Sequence, residues 1–300
     1  MFGRTHCQTG IILLFCFTLT ASPCSPEGLI QEVDDSGSVD WERLIIRCTG
    51  VGAPSPEATS APRLPIVIKS AQADALDRLL KTLRGISITS QATVGQVMDA
   101  DETLQGQVRE LVKNFREVGI HYMSDGSVEM NVEFPLRGKL VDLLLPPSGG
   151  GKRIPDGLLC PTCGQPWPEG REVPRDLKLV RPQGDPPEPF SGLVIDARGL
   201  GLNPALAPKV LNEADKTVYG VGFAKRLRSL VGGIVGYERD LNRARNRKRV
   251  APNPLVLKGL RARGPGKTDV VIDSDHATML HSMPEHLQFM EECRVIVVLD

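Results

Sequence analysis

The sequence predicts an α+β protein, with two small mixed sheets and packed helices joined by a Pro-rich linker. Three observations predict it. Apolar residues recur at three- and four-residue spacing in some stretches and alternate in others. The alternating stretches pair across turn residues as hairpins. Strands and helices do not follow one another in the long βαβ series that a doubly wound sheet requires.

Taken in order, a polar lead-in precedes a strand over Arg43 to Cys48, and a Pro- and Ser-containing loop runs through residue 62. Ala71, Ala75, Leu76, Leu79, Leu80 and Leu83 predict a helix over 66–83, with Gly85 as its stop. Leu104, Val108, Leu111, Val112 and Phe115 place a second apolar stripe on one helical face. The turn Ser124-Asp125-Gly126-Ser127, followed by alternating Val128, Met130, Val132 and Phe134, predicts a hairpin. Residues 146–190 hold eleven of the 24 prolines and a Gly149-Gly150-Gly151 run, which reads as a linker or an irregular lobe. Beyond it, 191–197 reads as a buried strand, and Val210-Leu211 with 217–219 as a second hairpin. A helix is expected around Tyr237 to Ala244, strands at 255–260 and 270–272, a helix over 275–290 broken by Pro284, and a closing strand at 294–299. The organisation expected is therefore a signal peptide at 1–23, an α+β domain at 29–145, the linker at 146–190, and a second α+β domain at 191–300.

Composition bounds the function. At 41% hydrophobic residues, the 300-residue chain can build a packed core, and with 4% aromatics that core is mostly aliphatic. Lys+Arg and Asp+Glu are both 36, which speaks against a dedicated nucleic-acid binder on bulk charge. Arg4 and His6 precede a short apolar run, Ile11 to Leu19, which suits a signal-peptide core and is too short to span a bilayer; a buried terminal strand or helix is the alternative. Cys24 follows Ala21-Ser22 where a lipid-anchored bacterial protein carries its acylated cysteine, although Pro23 intervenes; plain secretion is the rival reading. With Cys7 and Cys16 lost in the leader and Cys24 acylated, Cys48, Cys160, Cys163 and Cys293 remain, an even number compatible with disulfides outside the cytoplasm.

Several motifs invite an enzymatic reading and resist it. In "GLRARGPGKTDVVI" the residue five before Gly266 is Arg261, and strand-forming Val270-Val271-Ile272 follows, so Lys267 sits on a turn between two strands and no nucleotide site is expected. Gly199-Leu200-Gly201 follows a strand like a dinucleotide loop, but Pro204 holds the third Gly position. Asp196, at the end of an apolar strand, is either a site residue or the cap of that turn. Cys160-Pro161-Thr162-Cys163 reads as a local disulfide or knuckle, a metal site or a redox pair, the last opposed by the prolines that follow. His276, His281 and His286 recur every five residues, which points successive rings about 140° apart on a helix and predicts ordinary surface or half-buried histidines. From Lys225 to Lys267 the chain is strongly basic, and Arg243, Arg245, Arg247, Lys248 and Arg249 are its densest part: a solvated loop, or a contact for nucleic acid, acidic lipid headgroups or an anionic envelope polymer.

"AQADALDRLLKTLRGISI" (71–88) with the "DGSVEMNVEFPL" hairpin resembles the N-terminal module of bacterial envelope lipoproteins of the twenty-kilodalton Lpp type, a module shared with flagellar assembly protein T. "SGLVIDARGLGLNPALAPKVLNEADKTVYG" and the segment 253–300 resemble the C-terminal portion of related exported proteins. The resemblance implies a non-enzymatic protein of the periplasm or outer membrane that meets envelope or flagellar proteins, without cofactor or nucleotide, and with Cys24 as its candidate membrane tether. It supplies no active-site residues. The alternatives are a thiol or zinc protein using Cys160 and Cys163, and a polymer binder using the basic span.

Overall fold

A computed structural model describes residues 28–33, 35–54, 63–152, 172, 174 and 189–300. The leader, Cys24, and most of the 146–190 linker with Cys160 and Cys163 lie outside the described residues.

Alternation shapes the first sheet. Strands β1 (Ile30–Val33), β2 (Gly37–Asp40) and β3 (Ile45–Gly52) precede helices α1 (Arg63–Gly85), α2 (Val94–Ala100) and α3 (Glu102–Val112). Then come β4 (Arg116–Tyr122), β5 (Val128–Pro135) and α4 (Lys139–Leu144). The strands form an antiparallel sheet of order β1-β2-β3-β5-β4. Along β3 and β5 every second residue is buried, among them Ile46, Cys48, Met130, Val132 and Phe134. Those residues face α1, whose Ala71, Ala75, Leu79 and Leu83 are fully buried. Gly50 and Gly52 let the helix approach: a Cβ at either would overlap α1 backbone at Ala71, Ala75 or Val67. Two helices start on side-chain caps. Thr93 and Gln96 form a reciprocal capping box before α2, and Asp101 accepts from the amides of Thr103 and Leu104 before α3. The Asp125-Gly126 turn joins β4 to β5, with Gly126 at φ 85° and Asp125 accepting the Ser127 amide at 2.9 Å.

Continuous apolar runs shape the second sheet. Its strands are β6 (Gly192–Asp196), β9 (Gly236–Glu238), β10 (Pro254–Lys258) and β13 (Val295–Val298), all parallel, in the order β10-β6-β13-β9. Val194, Ile296 and Val298 pack with Ala244 of α6 (Leu241–Asn246), while Leu193, Ile195, Val295 and Val297 join the main core beside α8 (Pro284–Glu291). Both faces of this sheet are therefore covered, as parallel strands require. A third sheet, of order β11-β12-β7-β8, unites β7 (Val210–Leu211), β8 (Thr217–Tyr219), β11 (Arg261–Arg263) and β12 (Asp269–Val271). Helices α5 (Arg226–Gly232) and α7 (Ser274–Ser282) complete the fold.

The class is α+β, with three sheets where the sequence predicts two. Two further differences have local causes. The lead-in before residue 43 supplies β1 and β2, held by Trp41, whose indole donates to Gln31 Oε1 at 2.8 Å. The helix expected from Tyr237 begins at Leu241, because the Tyr237 hydroxyl is committed to the Ala205 backbone and Asp240 caps α6 through the Arg243 amide. One hydrophobic cluster runs from Leu29 to Leu299 through both halves of the chain. At its seam Trp41 meets Tyr237 edge-on at 5.5 Å, and the backbone of 87–90 bonds to Leu206, Ala207 and Gly266.

Candidate functional site

Among the described residues, the catalytic-looking motifs hold structure. Gly264 to Thr268 form the β11–β12 turn, with Lys267 exposed at φ 50°. The Gly266 amide donates to Ser90 O at 2.8 Å, and Ser90 Oγ donates to the buried Asp269, so the turn is a clasp between the two halves. At the carboxyl ends of the parallel strands, where α/β sheets commonly take ligands, the polar groups are already matched. Asp196 holds Arg198 bidentately at 2.8 and 2.7 Å, and this guanidinium keeps its carboxyl below the usual range. The Gly199 amide meets both carboxylate oxygens of Asp300 at 3.0 and 2.9 Å. Asp196 is thus the turn cap.

The histidines divide, against the expectation of surface or half-buried rings. His276 is exposed beside Asp273, whereas His281 and His286 are fully buried. His281 Nε2 lies 2.7 Å from Val218 O. His286 stacks on Phe190, with Nδ1 donating to Met279 O and Nε2 accepting from the Phe190 amide, so the neutral ring is held and burial lowers its pKa. The five-residue spacing misled because Pro284 starts a new helix, and the rings are oriented by two axes instead of one. Cys48 and Cys293 are buried free thiols whose pKa values burial raises, so neither joins the disulfide set that the cysteine count allowed. Among the described residues no group of three His, Cys, Asp or Glu could hold a metal ion.

The basic span is largely internal wiring. Arg243 and Arg247 both bind Glu42 from the β2–β3 connection and the buried Glu238 at the end of β9. Arg249 is half-buried against backbone: Nε donates to Cys293 O at 2.7 Å, Nη1 to Gly232 O at 2.5 Å, and Nη2 to Gly233 O at 2.8 Å and Ile234 O at 3.2 Å. Burial lowers its pKa, and no carboxylate is among the groups acting on it. Of the five residues expected to meet a polymer, Arg245 and Lys248 are exposed and make no ion pair among the described residues.

The surface left open belongs to the antiparallel sheet. The face away from α1 carries Arg47, Thr49, Val51, Asn131 and Glu133, partly or wholly exposed. Glu133 is gripped by Arg47 at 3.0 Å and by Arg116, which lowers its pKa, and Thr49 Oγ1 donates to Asn131 Oδ1 at 2.7 Å. This ladder floors a groove of about 730 Å³, walled by Val118 and by the turn before β2. Val51 and Val118 are 41% and 49% exposed, and Tyr122 at the end of β4 is 60% exposed. β4 is an edge strand of seven residues with an irregular register between Glu117 and Gly119. The polar alternates of β3 and β5, Arg47, Thr49, Asn131 and Glu133, are the sequence signal for this face.

Residues 192–300 match the family model described as Treponema pallidum Tp0624, second domain. No curated protein matches the chain. Among the described residues no helix is long and apolar enough to cross a membrane.

Proposed function

We propose that the chain is an exported, non-enzymatic protein of the bacterial cell envelope, of the kind found in Lpp-type lipoproteins and flagellar assembly factors, that works by binding other envelope proteins. Cys24 is its candidate lipid anchor, and the periplasm or outer membrane its place of work. The observation that carries the reading is the bare face of the five-stranded sheet, with Val51, Val118 and the β4 edge presented to solvent. A sheet with an open face and a free edge offers a partner both side-chain contact and strand pairing. Among the described residues, the groups that would otherwise suggest chemistry hold turns, caps and the seam between the halves.

Two measurements test the two parts. The intact mass of the chain recovered from a native membrane fraction reads export and anchoring: a chain starting at Cys24 with acyl mass is expected, and an uncut Met1 would end the export reading. Co-purification at moderate salt reads binding. A defined complex is expected for the natural chain and its loss for Val51→Asp with Val118→Asp, whereas a monomer in both cases would contradict partner binding through this face.

A further inference from the structure

The most exposed large apolar side chains of the described residues are Leu227 and Val231, at 79% and 72%, one turn apart on α5. Residues i and i+4 share a helix face, so the two make one aliphatic knob. Val231 also lines a groove of about 410 Å³ between α5 and the 248–249 segment, whose other walls include Arg228, Lys248, Arg249 and Arg294.

This groove is positively charged in a way its own side chains do not cancel. Glu292 is neutralised by Lys225 at 3.0 Å and by Arg228, and Glu291 lies 3.2 Å from Lys225. Arg249 is spent on carbonyl oxygens without a carboxylate partner, and Arg294 Nε donates to Arg249 O at 3.0 Å and its Nη2 to Ala251 O. Lys248 stands exposed at the rim. Around the groove five cations (Lys225, Arg228, Lys248, Arg249, Arg294) face two carboxylates. The neighbouring Arg226–Asp142 pair, at 2.8 Å, is balanced and ties α5 to α4.

From this juxtaposition of an aliphatic knob and an undercompensated cationic groove, we infer that α5 docks on an anionic phospholipid surface. Leu227 and Val231 enter the acyl boundary, and a headgroup phosphate sits against Lys248 and Arg228. An aliphatic pair alone would suit any apolar partner; the uncancelled positive charge beside it is the complement of an anionic membrane. Two such contributions give the reversible adhesion expected of a surface contact, well short of an inserted span. The inference is independent of Cys24 and of the bare sheet face.

The test is co-sedimentation of the unlipidated chain with vesicles of phosphatidylglycerol and phosphatidylcholine, compared with phosphatidylcholine alone. Binding is expected only with phosphatidylglycerol, and it falls as salt screens the charges. Leu227→Ser with Val231→Ser should lower the partition about tenfold, since aliphatic burial at the interface is lost. Lys248→Gln should lower it about fivefold, the weight of one cation near such a surface. All three side chains are exposed, and unchanged thermal unfolding of the variants would show that folding is not the cause. Equal or absent binding to both vesicle types would overturn the inference, as would full binding by the double serine variant. Stabilisation by inorganic phosphate without phosphatidylglycerol binding would assign the groove to a free anion and also overturn it.

Discussion

The antiparallel sheet and the parallel sheet use strands in opposite ways. In β3 and β5 burial alternates residue by residue, so one face belongs to α1 and the other to solvent. In β13 all four residues are buried, and in β6 the first four are, because α6 lies on one face and α8 on the other. The four-stranded parallel sheet is covered on both faces, and its strand ends are closed by Asp196–Arg198 and Gly199–Asp300 contacts. The antiparallel half keeps a face and an edge free. A core-like strand composition therefore marks a sheet covered on both faces here, and a half-polar one marks a sheet with one face open to solvent.

The largest expected effect tests the covered side of the first sheet. Gly50→Val forces a side chain into the backbone of α1 and should cost about 3 kcal/mol, seen as a lower midpoint in thermal or denaturant unfolding. Its neighbour Val51, on the bare face, is the control: Val51→Thr should change stability by no more than about 0.5 kcal/mol. Equal effects at the two positions would erase the distinction between faces.

Next in size is the basic span, where exposure and function diverge within a few residues. Arg249→Met leaves the carbonyls of Gly232, Gly233 and Cys293 without their donor and should cost about 2 kcal/mol. Arg249→Lys should recover only part of this, because an ammonium lacks the fork that reaches four carbonyls. Arg245→Met, at an exposed position with no ion pair among the described residues, should be near neutral in the same unfolding measurement.

The smallest effect is a pH dependence with one titrating group in each half, His286 and Glu133. His286 is held neutral, with its folded pKa lowered by burial, so the unfolded chain takes up the proton more readily. Stability should be full above the unfolded value of about 6.5 and decline as pH falls from there toward the lower folded value. Glu133 acts in the carboxylate range: its folded pKa is lowered by Arg116 and Arg47, so its contribution is present above about 4.3 and is lost as pH falls through the folded value. His286→Phe should remove the upper step in a pH series of unfolding midpoints and leave the lower one.

Much of this architecture was legible in the residues. Leu79 and Leu83 announced α1, the Asp125-Gly126 turn announced the β4–β5 hairpin, and the apolar 191–197 run announced a buried strand. The third sheet was not legible as a unit, because β7 and β8 reach β11 and β12 only through a parallel β7–β12 pair separated by about sixty residues. The helix start at Leu241 was hidden because tertiary bonds of Tyr237 outweigh local propensity. The candidate surfaces were legible only in part. Counting arginines found the basic span, but which were consumed by Glu42, Glu238 and backbone carbonyls depends on a fold that brings residue 42 beside residue 247. The bare face was written in Thr49, Asn131 and Glu133, yet polar alternates identify a contact surface only once the covered face is known.

The most direct test is site-specific photocrosslinking in living cells, with the probe at Val118 on the bare face and, as control, at exposed Asp275 on α7. A discrete crosslinked envelope partner from Val118 and none from Asp275 is the expected result. No adduct at Val118, or the same adduct from both positions, would contradict the assignment of the open sheet face as the binding surface.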